Sequence, residues 1–410
     1  MISFVLQRKS AAQHQNYTSR PLAMCYPAKQ HAGPVPRFEP LPANATQMPP
    51  VLSRPATPAQ VAETVLQLPR LLPVAGGSKP ALSTPPTGVA ALDLSALTGV
   101  LEYTPDEYTF TALAGTPVAE VQALLARHNQ YLPFDPPFAA RGATLGGALA
   151  SGLNGPGRWR FGGLRDFILG VQFVSGAGEL ARAGGRVVKN AAGFDLPKLL
   201  VGSLGRLAVL TEVTFKVFPA PAAYCSVRFV FPDLPAAVAA LLQVAAMPMD
   251  LDALDLQPPA TLWARLAGLP AALPGRAARL QQALGGGTLL EGAEEQAVWS
   301  AAREFAWAPA GSALLKVPLT PLRIAAFAAA LPDTAGSRYS AGGQVCWLAW
   351  PAQALPALDE LLQAQQLSAL LFGGTFAAGQ PALRGPQPGT ALLQRAQHAL
   401  DPDTRFMRFD

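Results

Sequence analysis

"GATLGGALASGLNGPGRWRFGGLRD", residues 142–166, places eight glycines in twenty-five positions and carries no charged side chain before Arg158. Glycine at this density either makes tight bends between short helices or bares backbone to a close neighbour, since a missing Cβ permits both. A second glycine turn, "VAGGSKP" at 74–80, follows the apolar run "RLLPV" and offers successive N–H groups at Gly76, Gly77, Ser78 and Lys79, with a hydroxyl and a cation. Consecutive N–H groups of this kind make an anion-binding nest. Singly, each stretch reads as a turn; taken together, they read as walls of a phosphate site.

The familiar phosphate loops do not fit. A Walker A loop needs G-x-x-x-x-G-K-[ST], and no G-x-G-x-x-G opens a helix after a strand. "GLNGPG" at 152–157 has the wrong spacing, and Pro156 would interrupt a helix there. P-loop and Rossmann architectures are both disfavoured.

Composition describes a folded chain. Of 410 residues half are hydrophobic and only 14% are charged, long enough for two or three packed cores. The net charge of +5 is spread without a Lys/Arg block, which argues for a mildly basic surface and no nucleic-acid partner. Three distant cysteines, Cys25, Cys225 and Cys346, offer neither a disulfide framework nor clustered iron–sulfur thiolates. Four scattered histidines, His14, His31, His128 and His398, make no metal site. No apolar run reaches the roughly 18 residues of a membrane span, and the N-terminus lacks a secretory h-region. A cytoplasmic protein is expected, at most peripheral to a membrane through partner subunits.

Residues 1–49 are expected to form a disordered N-terminal arm: the first 47 hold five Lys/Arg against the single acid Glu39 and show no apolar period. A transit peptide and a start codon assigned too early, with Met48 the true start, are alternatives. Regular structure begins at "TPAQVAETVLQL", with Thr57 as N-cap, Pro58 in the first turn, Gln60 completing a capping box and Val61, Val65 and Leu68 on one face. A strand over 108–114 leads to a helix capped by Thr116 and Pro117, with Val118, Val121, Leu124 and Leu125 on one face. "FILGVQFVSGAGEL" reads as a hairpin turning at 176–178. Val213, Phe215 and Val217 alternate with Thr214 and Lys216, as in a half-buried strand. After the linker "PAPAAYCS", strands at 227–231, 313–319 and 345–350 mix with helices at 233–247, 274–284, 290–305, 320–330 and 353–366.

The blocks "VAGGSKP", "LDLSALTGVLEYTPDEYTFTALAGTPVAEVQALL", "FDPPFAARGATLGGALASGLNGPGRWRFGGLRDFILGVQFV" and "GRVVKNAAGFDLPKLLVGSLGRLAVLTEVTFKVFP", in this order, resemble the FAD-binding domain of the vanillyl-alcohol oxidase/PCMH flavoproteins. Within that group they are most similar to the FAD-binding E subunits of glycolate oxidase. The resemblance covers roughly 50–220 and implies an α+β fold. A PCMH-type FAD-binding domain of two α/β subdomains, 50–220, would be followed by a smaller α+β cap domain, 221–410, ending in "LLQRAQHALDPDTRFM". It implies an FAD-dependent oxidoreductase subunit acting on CH–OH groups, oxidising 2-hydroxy acids such as glycolate to glyoxylate. The implied partners are a homologous FAD-containing catalytic subunit and an iron–sulfur subunit. A non-catalytic structural subunit and a stand-alone 2-hydroxy-acid dehydrogenase are the alternatives.

Residue by residue, the resemblance assigns Ala75, Gly76, Gly77, Ser78 and Lys79 to the pyrophosphate loop. It assigns Pro136, Pro137, Gly142, Ala143, Thr144, Gly146, Gly147, Ser151 and Gly152 to backbone along the pyrophosphate and flavin, where larger side chains would hold the cofactor away. Leu164, Arg165 and Asp166 form a contact stretch in which Arg165 counters negative charge and Asp166 fixes the loop. Gly202, Gly205, Leu207 and Val209 receive the adenosine half. Neither 74–80 nor 139–166 holds the His or Cys that tethers flavin in covalent members, so noncovalent FAD is expected. Lys189 and Arg158 are candidates to stabilise charge on the flavin ring, or surface residues. Arg265, Arg303, Arg323, Arg338 and Lys316 read as solvated surface cations, and no catalytic base is nominated.

Overall fold

The computed structural model describes residues 53–185 and 195–409; the N-terminal arm, Lys189 and Cys25 lie outside them. The compact unit 44–410 is built on two large sheets. Helix Pro58–Gln67 starts as its sequence dictates: Thr57 Oγ1 accepts from Gln60 N–H at 3.3 Å, and Val61 and Val65 are fully buried. Gln60 Oε1 accepts from Ala56 N–H, one residue before the expected capping-box donor. The helix covers a parallel pair, Leu71–Val74 and Ala90–Asp93.

The first large sheet is antiparallel, in the order Val100–Thr104, Thr109–Leu113, Val209–Lys216, Ile168–Val174, Leu180–Gly184. Val209–Lys216 is its middle strand. Thr214, read as solvent-facing, is therefore buried, and its hydroxyl bonds that of Thr111 at 2.9 Å across the ladder. Helix Val118–Ala126 buries Val118, Val121 and Leu125. Its cap position is Pro117, not Thr116, whose Oγ1 is engaged by the Gly99 backbone instead.

The second sheet has nine antiparallel strands. Its order is Thr288–Glu291, Ala223–Val230, Thr261–Gly268, Ala253–Gln257, Gly336–Ser340, Val345–Pro351, Ser312–Pro318, Ala369–Gly374, Leu383–Arg384. Six of these strands had no counterpart in the sequence reading. Side chains alternate between its faces. Leu315, Val317, Cys346 and Leu348 pack under helices Leu234–Ala245, Leu273–Leu284, Ile324–Ala329 and Leu355–Ala364. Leu314, Val345, Trp347 and Ala349 share a core with Phe138, Leu149 and Leu164 of the glycine-rich segment. Thus Leu314 and Lys316, on one face of Ser312–Pro318, point to the first half of the chain.

The last helix, Thr390–Leu400, is followed by a return to the start of the fold. Phe406 bridges Leu71 in parallel, and Asp401 accepts from the Arg405 and Phe406 N–H groups.

Candidate cofactor site

A cavity of about 710 Å³, its open mouth included, lies where the turn after Leu71–Val74 meets the start of helix Leu145–Ser151 and the loop before Val209. The turn is held by contact with the glycine-rich segment. A Cβ at Gly76 would lie 1.8 Å from the Gly142 carbonyl oxygen and 3.3 Å from Thr144 Cγ2. Glycine at 76 is thus demanded by backbone meeting backbone, before any ligand is considered. Gly77 sits at φ +62°, which glycine adopts without strain.

Among the described residues the N–H groups of Gly76, Gly77 and Ser78 have no acceptor. Beside them Lys79 is buried, 6% exposed, and its Nζ donates only to Ser78 Oγ at 3.2 Å, with no carboxylate in ion-pair range. Burial pushes its pKa down to about 8 against a smaller opposing pull from Glu304. A buried cation beside open N–H groups suits an anion. The opposite wall is the first turn of Leu145–Ser151. There Thr144 Oγ1 accepts from Gly147 N–H at 3.2 Å, and Gly146 N–H donates to Ala114 O at 2.7 Å. The remaining wall is apolar: Pro73, Leu82, Leu94, Ala150, Leu204, Ala208 and Leu210. These fit a group with a phosphate-bearing middle and flat apolar ends, as FAD has.

Of the assigned residues, Ala75, Gly76, Gly77, Ser78, Lys79, Thr144, Gly146, Gly147, Ser151 and Gly205 line this cavity. Pro136, Pro137, Gly142, Ala143, Gly152, Leu164, Gly202, Leu207 and Val209 do not. Gly142 supports the turn through its carbonyl, Ala143 O accepts from Val118 N–H, and Gly202 N–H donates to Leu149 O. Leu164, Leu207 and Val209 are fully buried core. Arg165 is exposed and donates to Lys198 O at 3.3 Å, while Asp166 closes its own loop by accepting from Gly163 N–H at 2.8 Å. The sequence reading missed Leu82, Leu94, Leu204 and Leu210, and the polar Ser83. The signal of the four leucines, apolar residues in or beside the glycine blocks, is shared by every core residue.

Among the described residues no His, Cys, Asp, Glu or Tyr lines the cavity, and no cluster could hold a metal. Exposed His398 and His128 lie elsewhere. The second-half cations correct the surface reading: Arg265 and Arg338 lie on strands whose two faces are both covered, and the partly exposed Arg303 and Arg323 are tied to partners in other segments. Arg265 pairs with Glu295 at 2.7 Å and stacks 3.9 Å from Tyr224, and Arg338, 3% exposed, pairs with Asp255 at 2.7 Å. Arg303 pairs with Asp135 at 3.2 Å, and Arg323 donates to Gln365 O. Lys316 points inward from its strand and donates to Gly152 O at 3.4 Å.

Comparisons with known proteins agree with this geometry. Residues 49–184 match the FAD binding domain family. The chain is 46% identical over 151 residues to glycolate oxidase subunit GlcE of Escherichia coli K12, covering 37% of this chain and 43% of that one. It is 31% identical over 157 residues to a D-lactate dehydrogenase of Archaeoglobus fulgidus (38% and 35% covered). With glycolate oxidase subunit GlcD of Bacillus subtilis it shares 29% over 154 residues (37% and 33%). The chain thus spans less than half the length of these relatives. An alkyldihydroxyacetonephosphate synthase structure superposes with a TM-score of 0.62 at 14% identity, over 87% of this chain and 76% of that one.

Proposed function

From the premise that residues 49–184 are an FAD-binding domain of the PCMH type, we propose that this chain is the FAD-binding subunit of a glycolate oxidase-type complex. The complex would oxidise 2-hydroxy acids, with glycolate going to glyoxylate. Residues 50–220 would hold the cofactor noncovalently, and 221–410 would form the cap. A homologous catalytic flavoprotein and an iron–sulfur subunit would complete the assembly in the cytoplasm. No described helix is long and apolar enough to cross a membrane.

The observation that carries this reading is the turn at 76–79, where three open N–H groups and a buried ammonium converge on one wall of a large cavity. Gly76, Gly77, Ser78 and Lys79 would hold the pyrophosphate. Thr144 and Ser151 would offer hydroxyls along the opposite wall, and Leu204 and Leu210 would keep water from the cofactor's apolar part. When bound, FAD supplies two-electron oxidation of a CH–OH group. The absence of an acid, imidazole or phenol from the cavity wall favours a subunit working with a catalytic partner over a stand-alone dehydrogenase.

Co-purification of the chain with its partners, followed by an absorption spectrum before and after adding glycolate, tests the reading. Flavin on this subunit that bleaches with substrate is expected. An active complex in which this subunit carries no flavin, or flavin that stays oxidised, would overturn it.

A further inference from the structure

The second half of the chain reaches the cofactor turn from behind, through the end of helix Gly292–Glu304. Phe305 closes that helix at φ +57° and stacks 5.1 Å from Phe138, which opens the short turn Ala139–Arg141 at φ +64°. Two non-glycine residues in the left-handed region are held there by the packing around them. Glu304, one position before Phe305, therefore has a fixed approach to the turn.

Its contacts are specific. The Glu304 carbonyl accepts from Arg141 Nη2 at 2.6 Å, and its Oε1 accepts from Ala140 N–H at 3.4 Å. Its Oε2 lies 3.4 Å from Arg141 Nε, an ion pair without a hydrogen bond. Arg141 is further held over the Phe138 ring at 5.2 Å. The next residue, Gly142, supplies the carbonyl oxygen on which Gly76 packs. A continuous line of contacts thus runs from the helix end through 140–142 to the open N–H groups at 76–78.

The charge of Glu304 bears on the same turn. Around its half-buried carboxylate stand Arg141, Arg303 and Asp135, the last two paired with each other. Burial raises its pKa against the pull of the two arginines, which keep it ionised where lysines titrate. Lys79 Nζ donates only to Ser78 Oγ, and the charged group that acts on it among the described residues is Glu304, which favours the ammonium. A buried ammonium gives up its proton more readily when no counter-charge is near.

We propose that Glu304 is a positioning residue for the cofactor site: it braces the 140–142 turn behind the pyrophosphate loop and supplies a counter-charge for Lys79. The brace rests on the function proposed above, whereas the counter-charge does not. Two substitutions separate the roles. Glu304→Gln keeps an oxygen for Ala140 N–H and removes the charge, while Arg141→Met frees the turn and leaves the carboxylate.

Acetylation of Lys79 by acetic anhydride, followed across pH in the FAD-free full chain and read by peptide mass spectrometry, tests the counter-charge. Its midpoint, near pH 8 in the wild type, should fall by at least about 0.5 pH unit in Glu304→Gln and should not fall in Arg141→Met. Fluorescence titration of the same chains with FAD tests the brace. Arg141→Met should weaken FAD binding about two- to fivefold at every pH. In Glu304→Gln the pH at which affinity starts to fall should move down with the Lys79 midpoint. A midpoint that Glu304→Gln leaves in place, or that Arg141→Met lowers equally, would overturn the counter-charge. FAD affinity unchanged in Arg141→Met would overturn the brace. A wild-type chain that takes up no FAD overturns the cofactor reading and the brace together, and the acetylation midpoint then decides the counter-charge by itself. A chain that binds FAD with an unmoved midpoint counts against Glu304 alone.

Discussion

At the scale of single residues, Gly76 and Lys79 decide the cofactor site. Gly76→Ala forces the turn away from Gly142 O, now 1.8 Å from where the Cβ would be. Flavin affinity should fall at least about tenfold, read by fluorescence titration of the refilled apo-protein, for a cost typical of overpacked contacts, about 1–3 kcal/mol. Gly77→Ala meets no neighbour and bears only its φ of +62°, about 1–2 kcal/mol, so it should be the milder variant. Lys79 carries the pH dependence. Its ammonium is favoured by a bound pyrophosphate, so FAD affinity is level below pH about 8 and falls as the free group, with its pKa of about 8, loses its proton. Lys79→Met should bind FAD more weakly and without that bend. A second pH effect appears in the cofactor-free chain. Lys79 and Lys316 are both lowered from 10.5 to about 8 when folded, so across that window the unfolded state holds more protons. The two lysines therefore add stability as pH rises from about 8, until the thiols of Cys225 and Cys346 and the phenols of Tyr131, Tyr224 and Tyr339, all raised by burial, oppose them above about 9. The Tm of the apo-protein should climb between pH about 8 and 9, and the double Met variant should show a flatter profile there.

At the scale of elements, the seven-residue helix Leu145–Ser151 is pinned to the end of strand Thr109–Leu113. Gly146 N–H donates to Ala114 O, and a Cβ on Gly146 would lie 2.8 Å from Ala114 Cβ. Gly146→Ala should cost about 1–3 kcal/mol, seen as a lower Tm, because neither a strand end nor a first helical turn can move far. Helix Pro58–Gln67 was legible in the sequence for a local reason. Thr57 and Pro58 are capping residues whose effect is complete within one turn, and glycine pairs punctuate the chain wherever they occur. The strands Ala253–Gln257 and Thr261–Gly268 were not legible. "ALDLQ" and "TLWARLAG" bury both faces, so they lack the alternation that marks a half-buried strand. Their buried charges, Asp255 and Arg265, read as solvent-facing until their partners Arg338 and Glu295 arrive from distant strands and helices.

For the whole molecule, the deciding contact is the face of the nine-stranded sheet laid against the glycine-rich half. Phe305 is its centre, stacked 5.1 Å from Phe138 and set edge-on to Trp347 at 5.2 Å, with the Arg303–Asp135 pair beside it. Phe305→Ala should cost about 3–5 kcal/mol. It should also speed hydrogen exchange in Leu145–Ser151, and retained protection there would show that the two halves do not support each other. The sequence by itself marked the glycine turn and the glycine-rich wall, because these depend on bare backbone in short, contiguous stretches, and its resemblance to the PCMH flavoproteins pointed to FAD. Only the tertiary structure decided which assigned residues face the cavity and which support it from behind. It alone brought Lys316 to Arg158, across 158 positions of chain, since a cation's role depends on which face of a strand is covered and by what.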